Sequence, residues 1–512
     1  MTDKEANDKN AHFDQKDSEN APPDNVHQKG VDRAQKELYD AFAARDASWH
    51  EAETKRLLMK VDWHLLPLLV LMYLLNFLDR NNLAQARLGT LEEDLGMSGT
   101  DFNLATSILF VGYLLMQLPS NLLITRIRPS VYLGVVMACW GMISAAQAAT
   151  HSFVGLVMAR FFLGFVEAPF FPAAIMMLSS WYRRDELAHR IAWFYSGSSL
   201  ANAFGGLLGA GVLGNLEGAH GISGWRWLFI IEGTITVGVA LCAIFVLPDY
   251  PETTRWLSDD ERSYAQWRLI DDIGEADLAH SSTIWESFKL ALSDPRIYLF
   301  TLLQHSSLLS QTLQYFFPTI VKTLGYSSVV TLLITVPVWA AVFLISLLVT
   351  WTSGRSGDRS LHIILLMLVS FVGNVIAVST LQTGARFFAL FCMPMGAIAA
   401  YQIIVAWVAN SFPRPLVKRS ACIAIANMIG NTATIYGTYM YPSSDGPRYL
   451  PGGSATAAVT LWVAFLAYVI RKWHANLNRK LAEKEVMDAD GQVRNEHASD
   501  PDARAVGFRY IL

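Results

Sequence analysis

Apolar residues run along this chain in blocks of about twenty, each bounded by charges or by Gly and Pro turns, and not in the short alternating stripes of a soluble domain. Six blocks fall at 61–85, 102–124, 130–149, 153–178, 190–213 and 226–247, and six more at 297–320, 329–352, 361–381, 386–410, 418–440 and 455–473. A helix needs ~20 apolar residues to cross a bilayer. The pattern therefore predicts an all-α membrane protein with twelve transmembrane helices in two six-helix bundles. The divisions that follow are a partly amphipathic N-terminal tail at 1–60, a first bundle at 61–247, a central loop at 248–295, a second bundle at 296–473 and a C-terminal tail at 474–512.

The interruption between the bundles carries Asp249, Glu252, Arg255, Asp259, Asp260, Glu261, Arg262 and Arg268, which marks it as a solvated loop with some helix. Before the first span, Val31 to Lys60 mixes charges with Leu38, Phe42, Ala43, Trp49 and Leu57. Two readings fit that stretch: an amphipathic helix lying on the membrane surface, or a disordered tail. The first 25 residues lack the basic-then-apolar pattern of a cleaved signal, so the first span is expected to act as the targeting element.

Basic residues near span ends stay on the cytoplasmic side. One set of loops holds Lys55, Arg56, Lys60, Arg126, Arg128, Arg183, Arg184, Arg190, Arg355, Arg359, Arg414, Lys418, Arg419, Arg471 and Lys472. The other set is poor in them and carries Glu92, Glu93 and Asp94. Both termini are thus expected in the cytoplasm, with the even span count giving the same parity. At 512 residues the chain could hold several soluble domains, but 52% hydrophobic and 16% charged is too apolar for them. A net charge of −4 without a basic stripe excludes a nucleic-acid partner. Cys139, Cys242, Cys392 and Cys422 all fall in apolar blocks, where they read as small packing residues.

An ionisable side chain at the bilayer centre costs ~2.5 to 3.5 kcal/mol even on mild insertion scales, so each is a functional candidate. Asp79 and Arg80 lie near the outer end of span one, Arg160 and Glu167 in span four, and Glu232 in span six. The second bundle has carboxylates only in loops, at Asp358 and Asp445. Arg160 and Glu167 are seven residues apart, which sets them on nearly one helix face about 10 Å apart. A permanent structural ion pair is one reading. The functional one is that a substrate anion takes the Arg160 fork, strips Glu167 of its counter-charge and favours its protonated form. Arg80 is a second anion candidate, with snorkelling beside Asp79 as its bland alternative. Glu232 is a second proton candidate, or a partner of Arg226.

The second bundle supplies neutral polar groups. Gln304, His305, Gln311 and Gln314 lie in span seven, Asn374 in span nine, Tyr401 and Gln402 in span ten, and Asn427 and Asn431 in span eleven. Any one of them serves equally well as glue between helices. Gly205, Gly206, Gly209 and Gly211 match the small-residue spacing that lets helices approach closely. No Walker loop, nucleophile elbow or metal-spaced His/Cys cluster appears, so neither an enzyme nor a cofactor or metal site is expected.

Several strings carry a resemblance. LNFLDRNN (Leu75–Asn82), GYLLMQLPSNLLITRIRPS after Val111, ARFFLGFVEAPFFP (Ala159–Pro172), GWRWLFIIEG (Gly224–Gly233), LPDYPETTRWL (Leu247–Leu257) and the ending GFRYIL are similar to the major facilitator superfamily. Within it they resemble the anion:cation symporter family, on its fungal allantoate-permease and nicotinate-transporter branch. The resemblance spans about 55 to 475 and implies alternating access with proton-coupled uptake of a small organic anion across the plasma membrane. By position it assigns Arg80 and Arg160 to the anion and Glu167 to the proton. Gln311, Gln314, Tyr401 and Asn427 are expected to shape specificity.

The superfamily's G-x-x-x-D-R loop pattern survives as Gly354, Asp358 and Arg359. After span two it is degenerate, with Asn121, Thr125 and Arg126 in those places. Ala201 and Asn202 stand where an antiporter pattern has Gly-Pro, which argues against drug efflux. The expected protein is a monomer in the bilayer with an organic anion and protons as partners. An exporter of an acidic metabolite and a non-transporting nutrient sensor are the alternatives.

Overall fold

The structure is a computed structural model that describes residues 39–123, 127–273, 284–412, 416–483, 486–487, 493–494 and 509–512. The apolar blocks fold as α1 (Ala47–Ala86), α2 (Asp101–Leu123), α3 (Pro129–Ala146), α4 (Phe153–Glu167, resuming as Phe170–Ser179), α5 (Arg184–Asn215) and α6 (Gly224–Val246). The second six are α7 (Arg296–Gln311, then a 3-10 stretch Thr312–Phe316 and Phe317–Lys322), α8 (Ser328–Ser356), α9 (Ser360–Ser379), α10 (Thr383–Ser411), α11 (Leu416–Gly437) and α12 (Leu450–Glu483). Eight helices are each long and apolar enough by themselves to cross a bilayer. A two-residue ladder, Val486–Met487 with Val493–Arg494, is the strand content among the described residues.

The outer surface is apolar where a soluble protein would be polar. Phe245, Leu344, Leu365 and Phe465 are all exposed, and hydrocarbon covers such a surface at far lower cost than water. Inside, the first half closes through α3 on α6, α2 on α4 and α1 on α5. The second half closes through α9 on α10 and α12, and α7 on α11. The halves meet where α5 lies on α8 and α2 on α11.

Small residues set the closest approaches. A methyl group on Gly112 would overlap the Phe161 carbonyl, and one on Gly164 the Leu109 carbonyl, so α2 and α4 touch backbone to backbone. On α5, Gly205 lies against Gln85 of α1, while Gly206 and Gly209 face Thr335 and Leu332 of α8. Gly211, expected in the same stripe, faces open space.

Two helices are broken. Pro169 follows Glu167 in α4, where its missing N–H interrupts the hydrogen-bond ladder. In α7 five residues tighten to 3-10 geometry before Pro318 restarts the helix. Both breaks lie at the depth of the central cavity.

The stretch ahead of the first span is described only in its last part. Its described part begins at Tyr39, which leaves Leu38 outside the described residues. Phe42, Trp49 and His50 pack on Tyr264 and Trp267 of the central-loop helix Asp259–Ile273, with ring centroids 4.9 to 6.1 Å apart. From Ala47 the chain is already α1, unbroken for 40 residues, about 60 Å and twice a bilayer core. All four cysteines are free.

Candidate functional site

A cavity of about 90 Å³ sits between the halves, lined from α1, α2, α4, α5, α7, α10 and α11. Its floor of charge is a single ion pair. Arg80 of α1 meets Glu167 of α4, with Nε donating to Oε1 at 2.9 Å and a second guanidinium nitrogen on the same oxygen. Asn76, one turn before Arg80, donates to that oxygen as well at 2.8 Å. Oε1 thus takes three donors. Oε2 is buried and accepts none.

Aromatic rings enclose the guanidinium. Phe77, Phe110 and Tyr113 have centroids 5.2 to 5.5 Å from Arg80 Cζ, so cation–π attraction holds the head in place. Tyr73, Tyr195, Tyr315 and Phe170 extend this aromatic wall. Gln311, Gln314, Tyr401 and Asn427 all line the cavity, as expected, and Gln402 and Asn431 join them. Gln311, Gln314 and Tyr315, spaced i, i+3 and i+4 across the end of the first α7 segment and the 3-10 stretch, all face the cavity.

Arg160 is placed differently from the expectation. It is 1% exposed and does not reach Glu167 or line the cavity. Its guanidinium donates to the carbonyl oxygens of Arg80, at 2.9 Å, and Asp79, at 3.5 Å. The seven-residue spacing puts both groups on one face of α4, but α1 crosses between their heads and captures each separately.

Asp79 directly precedes Arg80 in α1, near the end of that helix. It is buried toward α3 and α6, accepting from Ser144 at 2.6 Å, Thr236 at 2.7 Å and Trp140 at 3.2 Å. Glu232 lies near it on α6, buried beside Asn82 with neither carboxylate oxygen accepting a hydrogen bond. Arg226 does not pair with Glu232, because it donates to the Ala148 carbonyl. His305 is satisfied by the Ile429 carbonyl at 2.9 Å and the Tyr436 hydroxyl at 2.6 Å, tying α7 to α11.

The cavity is closed on the side away from the central loop. Asn103 of α2 donates to the Thr438 carbonyl at 2.6 Å, Arg87 to Ser443 at 2.6 Å and Ser328 of α8 to the Leu88 carbonyl at 2.8 Å. Phe102–Phe316 and Phe110–Tyr315 edge contacts lie just inside these bonds. Each contact joins the two halves.

Toward the central loop an apolar vestibule of about 370 Å³ opens between α4, α5, α10 and α11. It shares Phe171, Tyr195 and Asn427 with the inner cavity. Between the two spaces Tyr195 of α5 meets Tyr401 of α10 edge-on, centroids 6.4 Å apart, with Gln304 in hydrogen-bond contact. One aromatic layer separates cavity from vestibule.

Among the expected loop residues, Asp358 pairs with Arg471 of α12 and accepts from Ser360 at 3.0 Å. These contacts hold its carboxyl below the usual range against the opposing effect of burial. Arg359 is lowered to about 10 by burial, and Gly354 is exposed with no neighbour near its Cα hydrogens. This network lies within the second half. Arg126 lies outside the described residues.

A twelve-helix bundle around a polar cavity, sealed at one face and parted by one aromatic layer from a vestibule at the other, has the build of a membrane carrier and not of an enzyme. The chain belongs to the Major Facilitator Superfamily, whose family model matches residues 69–438. It is 31% identical over 489 residues to MFS-type transporter cnsO of Penicillium expansum, covering 93% of this chain and 94% of that one. It is also 33% identical over 454 residues to MFS transporter prlL of Fungal sp. (strain NRRL 50135), covering 86% and 90%. In fold it is similar to a bacterial homolog of the human lysosomal transporter Spinster in an inward-facing, unoccupied conformation. That match has a TM-score of 0.63 at 16% identity, over 79% of this chain and 96% of that one.

Proposed function

We propose that this carrier is a proton-coupled symporter of the anion:cation symporter type, on its fungal allantoate-permease and nicotinate-transporter branch, importing a small organic carboxylate. The observation that carries the reading is the Arg80–Glu167 pair on the cavity wall with Glu167 Oε2 left open. A buried pair cannot lose one member cheaply, since an uncompensated charge in low dielectric costs several kcal/mol. A carboxylate arriving at the Arg80 fork competes with Glu167 and frees it. Protonation of Glu167 then neutralises the displaced acid, so anion and proton bind together and the charge of the cavity is unchanged.

Arg160 serves this step indirectly, by holding the α1 backbone at residues 79 and 80 while Arg80 changes partner. Gln311, Gln314, Tyr401 and Asn427 present amide and hydroxyl groups to the rest of the substrate, and the aromatic wall favours a flat one. Glu232 is a second protonatable acid behind α1. The units 61–247 and 296–473 rock about the cavity, with Arg126 and the Gly354–Arg359 loop at the cytoplasmic gate. The protein acts as a monomer in the plasma membrane with both termini in the cytoplasm.

The test is uptake by purified protein in vesicles, with a panel of aromatic and ureido acids at two external pH values. Acid outside should accelerate accumulation of at least one, and Arg80→Lys should abolish the effect. Equal uptake at both pH values for every transported acid overturns the reading.

A further inference from the structure

The last residues of the chain lie in a groove that no part of the transport reading uses. Tyr510, Ile511 and Leu512 run between the central-loop ends of α7, α9, α10 and α12. The Ile511 carbonyl accepts from Trp407 Nε1 at 3.0 Å and from His474 Nδ1 at 2.8 Å. The Leu512 backbone oxygen accepts the N–H groups of Arg359 and Ser360, at 2.6 and 3.2 Å, where α9 begins. A helix start offers such unpaired donors.

Asn478 supplies the most specific contact. Its amide nitrogen donates to the Tyr510 carbonyl at 2.9 Å, and its amide oxygen accepts the Tyr510 N–H at 2.8 Å. One side chain thereby reads both main-chain groups of a single residue, which pairs an extended segment as a neighbouring strand would. The Tyr510 ring is 6% exposed. It lies 4.8 Å from the Arg296 guanidinium carbon and 5.3 Å from the His474 ring. Arg296 is held in turn by Asp294, which also binds Lys418 of α11.

The contacts fall on main-chain atoms, the Tyr510 ring and the Ile511 side chain, which packs on the apolar core of the second half, the pattern of a bound extended peptide. We propose that the groove between α7, α9, α10 and α12 is a peptide-binding site whose ligand is the chain's own segment 510–512. Its occupancy braces these four helix ends, beside the vestibule, as one block. The groove reads an aromatic residue followed by two aliphatic ones, and it is empty whenever the segment leaves.

The probe is a fluorescent peptide of sequence GFRYIL, titrated against protein ending at Gly507 and against the full chain. The shortened protein should bind it at least tenfold more tightly than the full chain, whose groove is filled. Asn478→Ala should weaken binding to the shortened protein about tenfold. Tyr510→Ala in the full chain keeps the test available if the shortened protein does not fold, because it too should admit the peptide. Hydrogen exchange at 474–481 should rise when the segment is removed and fall again when peptide is added. Equal peptide binding to all forms, or none to any, overturns the proposal.

Discussion

Arg80 and Glu167 form an ion pair between α1 and α4 in which one carboxylate oxygen takes three donors and the other takes none. The asymmetry leaves one carboxylate oxygen open beside a cation on the same cavity wall, and the proposed function gives these the proton and the anion. Arg80→Lys keeps the charge but removes the planar fork. It should raise KM for the carboxylate by about tenfold or more, at unchanged expression. Initial uptake rates against substrate concentration check this.

Arg160 should behave as a structural residue. Its two charged hydrogen bonds to the α1 backbone contribute about 2 kcal/mol, so Arg160→Ala should lower the thermal midpoint of the purified protein, while Arg80→Lys, which keeps a cation beside Glu167, should leave it near the parent level. A thermal shift series on the two variants separates positioning from substrate contact.

The twelve helices and their two-fold grouping were readable because a bilayer leaves a helix few options. The charged residues stood out for the same reason. Their pairing did not, because spacing along one helix relates Arg160 to Glu167 but says nothing about α1 crossing between them. The partners of Asp79 were equally hidden, since Trp140, Ser144 and Thr236 come from α3 and α6 and no local pattern announces them. Tyr73, Tyr113 and Tyr195 were missed because an aromatic residue in an apolar block looks like packing.

The Tyr195–Tyr401 layer should control access from the vestibule. In a background lacking the four native cysteines, Gln311→Cys should react slowly with a charged thiol reagent applied from the central-loop side. Adding Tyr401→Ala should accelerate that reaction about tenfold or more, since a side-chain-sized opening replaces a ring. An unchanged rate would place the barrier elsewhere.

Close helix approach should be intolerant of any side chain. Gly164→Val pushes α2 away from α4 and carries Phe110 and Tyr113 off Arg80, so folded yield and uptake should both collapse. Gly211→Ala, facing open space, should leave both near the parent level. Size-exclusion profiles and uptake read the contrast.

The cluster ahead of α7 sets its own acid limit. Burial pushes the Asp294 carboxyl up, but hydrogen bonds and charge from Arg296 and Lys418 outweigh it and hold it at about 2. A carboxyl depressed in the folded state contributes stability above its unfolded value of about 3.9, and loses it as pH falls through the folded value. The stability gap between parent and Asp294→Asn should therefore be constant from pH 8 to 5 and shrink between about 4 and 2. Any change in transport between pH 5 and 8 has another origin.

Gradient-driven accumulation in vesicles tests the proposed role of Glu167 most directly. With an inward proton gradient the parent should concentrate the carboxylate, while Glu167→Gln should still exchange labelled for unlabelled substrate but concentrate nothing. A Glu167→Gln protein that accumulates substrate against its gradient as the parent does would contradict the account.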